Sequence, residues 1–181
     1  MRVTAGRFKG RQIKTVKSND VRPTLSKIRE SIFNMIQDQV SDARMLDLFA
    51  GSGIMGLELI SRGGKEVVFI EKNPLIVKTL RENLKNFDFE YSIYLNDALK
   101  ALDKLAGNKF DIIFVDPPYL LGLIPEIIQK IKNNSLLSNS GIIILEHPTK
   151  FNFDETIQSN GFEIYKNKTY GDTAITMLKG Y

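Results

Sequence analysis

The 181-residue chain contains no cysteine and a single histidine. Without cysteine there is no disulfide scaffold, no thiol redox chemistry and no cysteine-based zinc site, and one histidine leaves too few soft ligands for most other transition-metal cages. Metal-centred catalysis is not expected. No uncharged apolar stretch approaches the roughly 18 residues that would suggest a membrane span, and the opening MRVTAGRFKG has no apolar signal core. A cytoplasmic protein with no membrane partner is predicted. The 43% of hydrophobic residues supply the core of one compact domain.

The net charge of +4 is unevenly placed. Residues 1–30 carry nine basic and two acidic residues, a net +7, and the other 151 residues carry a net −3. All the positive excess therefore sits on an N-terminal arm, as expected when a polyanion-binding element is attached to a domain with another task. A solvated basic tail is the competing reading of charge alone.

The first residues alternate around Gly6 and Gly10 and predict a short basic hairpin. Thr24 then caps an amphipathic helix carrying Leu25, Ile28, Ile32, Met35 and Ile36. From residue 45, apolar strands (MLDLF, EVVFIE, YSIYL, FDIIFVD, GIIILEH) alternate with helical segments. Such alternation predicts a parallel sheet covered on both faces. A helix near 154–159 precedes FEIYKNK and TAITMLKGY, which a tight turn at Tyr170-Gly171-Asp172 joins into an antiparallel pair. The expected fold is α/β: a Rossmann-like, doubly wound, mostly parallel sheet with a C-terminal antiparallel hairpin and a short N-terminal basic β-hairpin plus helix. Residues 1–40 form the arm, packed on a body spanning 41–181.

Open parallel sheets bind ligands at the carboxyl ends of their strands. There, Gly51-Ser52-Gly53-Ile54-Met55-Gly56 fits the dinucleotide pattern G-x-G-x-x-G, and Glu71 follows Gly51 by 20 residues, where an acid would hold ribose hydroxyls. Tight packing alone also produces such turns. Carboxylates discriminate between ligands: Asp47, Glu71, Asp97 and Asp116 mark the ends of four successive strands, and the turn has no lysine or arginine. A bisphosphate such as NAD would be repelled, whereas the sulfonium, ammonium, ribose diol and adenine amine of S-adenosylmethionine would find acceptors. Its carboxylate could rest on helix-start amides.

Asp116-Pro117-Pro118-Tyr119 follows the apolar strand FDIIFV. Two prolines can simply end a strand. A chemical reading is that Asp116 and the Pro117 carbonyl accept the two hydrogens of an exocyclic nucleobase amine and aim its lone pair at a methyl group, while Tyr119 stacks on the base.

In order, LDLFAGSG, FIEKN, the NDA of Asn96 to Ala98, and DPPY resemble the motifs of class I S-adenosylmethionine-dependent amino methyltransferases. MRVTAGRFKGRQI, RPT with IRESIFN, LELISRGGKEVVFIE and IILEHP are similar to the bacterial 16S rRNA guanine-N(2)-methyltransferases of the RsmD type, over nearly the whole chain. The resemblance implies a class I methyltransferase fold, S-adenosylmethionine as cofactor, and 16S ribosomal RNA, naked or in a partly assembled small subunit, as partner of a monomeric enzyme. It implies that Phe49, Ala50, Gly51, Ser52 and Gly53 hold the methionine part, Glu71 the ribose, and Asp97 with Ala98 the adenine, with Asp47, Lys72 and Asp116 also at the cofactor. Asp116, Pro117, Pro118 and Tyr119 would hold the guanine, and Arg22 to Asn34, including Thr24, would lie over the cofactor. Ser26 departs from the acid expected there. Arg2, Arg7, Lys9, Arg11, Lys14 and Arg22 are the expected RNA contacts.

His147 reads as structural, with Glu146 better placed to border a base pocket. Tyr170 to Thr173 reads as a simple hairpin turn, and Phe8 either stacks on RNA or packs the arm. Alternatives are another RNA or DNA base, or a protein glutamine, as methyl acceptor; a non-catalytic RNA-binding module; and an NAD oxidoreductase. Asp116 in place of the usual asparagine disfavours glutamine, and the acidic rim disfavours NAD.

Overall fold

The computed structural model describes residues 1–15, 26–118 and 122–180. Five parallel strands, β1 (Arg44–Asp47), β2 (Glu66–Glu71), β3 (Glu90–Leu95), β4 (Phe110–Val115) and β5 (Leu137–Pro148), alternate with helices. The helices are α1 (Ser26–Met35), α2 (Ile54–Ser61), α3 (Pro74–Leu84), α4 (Ala98–Lys104), α5 (Ile124–Asn133) and α6 (Asp154–Ser159). The sheet closes with β6 (Phe162–Tyr170) and β7 (Thr173–Gly180), and its order is β3-β2-β1-β4-β5-β7-β6. β7 is antiparallel to both neighbours. The expected α/β sheet and terminal hairpin are therefore present, Gly171 taking the left-handed turn position at φ 59°.

Near-continuous apolar strands serve two cores because alternate side chains leave opposite faces. Met45, Phe69, Phe114, Ile144 and Met177 pack on one face with Leu57 of α2 and Leu80 of α3. Leu46, Val68, Val115, Leu145 and Leu178 pack on the other with α4 and α5. Val3, Ile13, Ile28, Ile32 and Phe33 belong to the first core, so the N-terminal segment shares its packing with the body. The Lys166 ammonium of β6 donates to the Met35 carbonyl at 2.8 Å, tying the end of α1 to the sheet edge.

The expected N-terminal hairpin is present but short: Arg2 and Gln12 form an antiparallel bridge, flanked by the Val3 amide donating to the Arg11 carbonyl at 3.1 Å and the Ile13 amide to the Met1 carbonyl at 2.8 Å. The donors of its loop turn to α2. The amides of Thr4 and Ala5 donate to Glu58, that of Arg7 to the Ser61 carbonyl and that of Phe8 to the Ser61 hydroxyl. Gly6 is required for this approach, since a Cβ there would lie 1.7 Å from the Ser61 carbonyl oxygen and its φ is +75°. The hairpin loop therefore caps the end of α2.

Glu58, wholly buried, is the hub. It accepts from the Thr4 hydroxyl, from Arg29 Nε at 3.1 Å and from Arg62 Nε at 3.0 Å. Arg29 is equally buried and also donates to the Arg2 carbonyl at 2.7 Å. It cannot contribute to the arm's external field, so the exposed positive excess of residues 1–30 is smaller than their sequence charge. Burial pushes the Glu58 carboxyl up, but the hydroxyl and amide of Thr4, Arg62 and the charge of Arg29 hold it below its ordinary value. Its stabilising contribution is thus complete above about pH 4.5 and is lost as pH falls through the lower folded value. Glu58→Gln should cost about 3 kcal/mol in urea unfolding at pH 7. The variant should also lose part of the wild-type decline in stability below pH about 4.5. Unchanged unfolding with an unchanged acid limb would show that the hub carries no stability.

Candidate active site

Asp47 and Glu71 end β1 and β2, Asp116 follows β4, and Glu146 lies near the end of β5. Each stands two residues beyond an inward-facing residue of the first core: Met45, Phe69, Phe114 and Ile144. Strand alternation therefore sends all four carboxylates to the face carrying α1 and α2.

The turn between β1 and α2 is built around Glu71. One of its oxygens accepts from the Gly51 amide at 3.2 Å, the other from the Asn73 amide at 2.9 Å. Asn83 of α3 donates to the Ser52 carbonyl at 2.9 Å. Gly53 (φ 81°) is the N-cap of α2, and a Cβ there would meet Leu80 at 2.4 Å. Phe49 and Gly51 are half-buried, and Ala50, Ser52 and Gly53 are buried. The sequence pattern located this turn without disclosing that Glu71 and Asn83 brace it.

Asp47 is 1% exposed, and neither carboxylate oxygen has a hydrogen-bond partner among the described residues. Burial, with the charge of Glu71 acting in the same sense and the nearby Phe49 amide opposing both, raises its pKa to about 7. Asp116 is pushed well above the usual carboxylate range by burial, Glu146 and Asp47, in that order. Such a site calls for a cationic ligand. Asp97 differs: it is exposed and caps α4, one oxygen accepting from the Leu99 and Lys100 amides. Ala98 beside it is buried and Lys72 is exposed.

Beyond Asp116, Pro117 and Pro118 line a cleft together with Leu123, Glu146, His147, Pro148 and Phe153. His147 is buried, with Nε2 2.9 Å from the Thr176 hydroxyl and Nδ1 3.0 Å from the Pro148 carbonyl. Burial lowers its pKa, against the Pro148 contact. Both ring nitrogens are engaged, so it serves as a wall of the cleft, while Glu146 borders the cleft as the sequence suggested. Among the described residues no group of three histidine or acidic side chains is arranged to hold a metal ion. No helix among them is long and apolar enough to cross a membrane.

Arg2, Arg7, Lys9, Arg11 and Lys14 are exposed. Arg7 and Arg11 nevertheless donate to the carbonyls of Asp88 and Asn86, and Lys14 pairs with Glu82 at 3.0 Å. Phe8 packs edge-on to Phe87 with ring centroids 4.8 Å apart, beneath the Arg7 and Arg11 guanidiniums, so its role is arm packing. Arg22, Thr24 and Tyr119 lie outside the described residues.

Residues 1–179 match the family described as conserved hypothetical protein 95. YlbH of Bacillus subtilis is 36% identical over 99% of this chain and 98% of its own length. Ribosomal RNA small subunit methyltransferase D of Escherichia coli K12 is 30% identical over 99% of this chain and 89% of its own. Among solved structures, yhhF from Escherichia coli superposes with a TM-score of 0.85 at 26% identity, covering 99% of this chain and 97% of that one.

Because Asp47 keeps a proton in the fold that it would release at its ordinary value of 3.8, stability should fall as pH rises toward about 7. The shift corresponds to on the order of 4 kcal/mol at most. Asp47→Asn should therefore gain stability relative to wild type as pH rises from about 4 to about 7 in urea unfolding without ligand. A difference that is constant with pH would mean that Asp47 is not desolvated.

Proposed function

The chain belongs to the family described as conserved hypothetical protein 95, and on that premise we propose that it transfers a methyl group from S-adenosylmethionine to the exocyclic 2-amino group of a guanine in 16S ribosomal RNA. The observation that carries this reading is the Asp47 carboxylate, buried and unpartnered among the described residues, beside Asp116 and Glu71. The residues fit the cofactor: a cationic, diol-bearing ligand supplies the donors that this acidic rim lacks, which a bisphosphate would not. Asp47 and the turn from Phe49 to Gly53 would hold its methionine part, Glu71 with Lys72 the ribose, Asp97 with Ala98 the adenine, and Thr24 would cover it. When bound, it provides an electrophilic methyl on a positive sulfur.

The remaining chemistry belongs to this chain. A guanine amine is a poor nucleophile because its lone pair is delocalised into the ring. Asp116 and the Pro117 carbonyl accept its two hydrogens and hold the nitrogen in line, and Pro118 and Tyr119 position the ring. Once the nitrogen carries the methyl group, its excess proton leaves toward Asp116 or water, so no strong base is required. The arm contributes phosphate contacts through Arg2, Arg7, Lys9, Arg11, Lys14 and Arg22. The enzyme acts as a cytoplasmic monomer on 16S rRNA, naked or in a partly assembled small subunit.

Mapping modified nucleotides of 16S rRNA from cells with and without the protein tests the reaction: one N(2)-methylguanine should vanish, and an unchanged map would overturn the reading. Asp116→Asn should lower turnover by roughly two orders of magnitude while leaving cofactor and RNA affinity within a few-fold. A variant within a few-fold of wild-type turnover would remove Asp116 from the mechanism. Because Arg7, Arg11 and Lys14 also hold the arm to the body, the RNA contacts are best tested at Arg2 and Lys9. Changing these two to glutamine should flatten the log–log salt dependence of RNA binding by about 1.4 units, at roughly 0.7 per phosphate contact. An unaltered slope would leave the arm as a solvated cap.

A further inference from the structure

We propose that Glu146 selects guanine, its carboxylate accepting the N1–H of the target base while Asp116 accepts the adjacent amino group. This rests on the methyltransferase reading above and assigns the base specificity of that site. Val115 and Leu145 are register partners of the parallel pair β4–β5. Asp116 and Glu146 are the next residues of the two strands and stand side by side at their carboxyl ends, about 4.8 Å apart in strand spacing. Two further observations agree. The charge of Glu146 acts on Asp116, and Glu146, only 5% exposed, borders the same cleft as Pro117 and Pro118.

Nucleobase chemistry makes this pair selective. Adenine, cytosine and guanine all carry an exocyclic amine, but in adenine and cytosine the ring nitrogen on the Watson–Crick edge beside it is an acceptor. Only in guanine is that neighbour a donor, N1–H. One carboxylate can hold any of the three amines. A second carboxylate beside it is satisfied by guanine and repels the lone pair that adenine or cytosine would present. Buried acceptors of this kind reject an unmatched ligand far more strongly than an apolar wall does.

The test uses 16S rRNA joined from synthetic pieces, with guanine or 2-aminopurine at the mapped target, naked and in reconstituted small subunits. 2-Aminopurine keeps the 2-amino group and lacks the N1–H. Wild-type kcat/KM should fall by on the order of a hundredfold or more on 2-aminopurine. Equal use of both bases would overturn the assignment even if every variant failed to fold. Glu146→Gln offers an amide that can donate to N1, so its guanine-to-2-aminopurine ratio should shrink at least about tenfold. Glu146→Asp, which keeps an acceptor, should retain the guanine preference at a lower rate. A Glu146→Gln enzyme with the wild-type ratio would also overturn the assignment. If wild type methylates no guanine in either form of the substrate, the methyltransferase reading fails, an outcome distinct from guanine methylation without N1 dependence.

Discussion

The molecule depends on how five donors converge on the two oxygens of Glu58. The Thr4 amide and hydroxyl, the Ala5 amide, Arg29 and Arg62 come from the N-terminal arm, α1 and α2. A buried carboxylate with fewer partners would cost several kcal/mol of desolvation, and here hydrogen bonds and two guanidiniums reverse that cost. The consequence is geometric. α2 begins at the glycine turn and ends under the arm, so one short helix fixes both the turn proposed to hold the cofactor and the basic segment proposed to meet RNA.

Asp47 is the opposite case. It is as deeply buried as Glu58, yet its oxygens receive no donor among the described residues. The same functional group is therefore driven below its ordinary pKa in one place and up to about 7 in the other. Desolvation acts in the same sense on both, so the difference comes from the donors around Glu58 and the Glu71 charge beside Asp47. A fold able to surround one acid with five donors and leave another bare, at the carboxyl ends of its strands, has its unmet polar demand where a ligand would answer it.

The strands were legible because apolar runs such as EVVFIE and FDIIFV admit few other structures at that length, and the glycine turn and its acids followed from their position after them. The hairpin was legible from the alternation around Gly6 and Gly10, but its docking was not: the acceptors that hold its loop, Glu58 and the Ser61 carbonyl, are more than 50 positions away in sequence. A signal was present in α2, where Glu58 stands between Leu57 and Leu59 in a helix buried at every position and has Arg62 four residues on. An acid in such a helix must be paired. Arg29 left a similar trace beside Ile28 and Ile32 on the buried stripe of α1. The bracing of the turn by Glu71 needed the register of β2 against β1, which sequence alone does not supply.

The strand order gives the four acids a sequence of their own. Read across the sheet as β2, β1, β4, β5, they run Glu71, Asp47, Asp116, Glu146, and three strand spacings separate the ends, about 14 Å. The order of strands reverses between β1 and β4, the switch point where open sheets form their crevice. That point falls between Asp47 and Asp116. A cationic donor held on the β2–β1 side and an amine held on the β4–β5 side would therefore meet at the crevice, with one acid facing each. The coupling of Asp116 to both Glu146 and Asp47 follows from this middle position. Positive charge arriving on the β1 side favours ionised Asp116 as an acceptor on the other, so cofactor binding would prepare the carboxylate proposed to receive the amine.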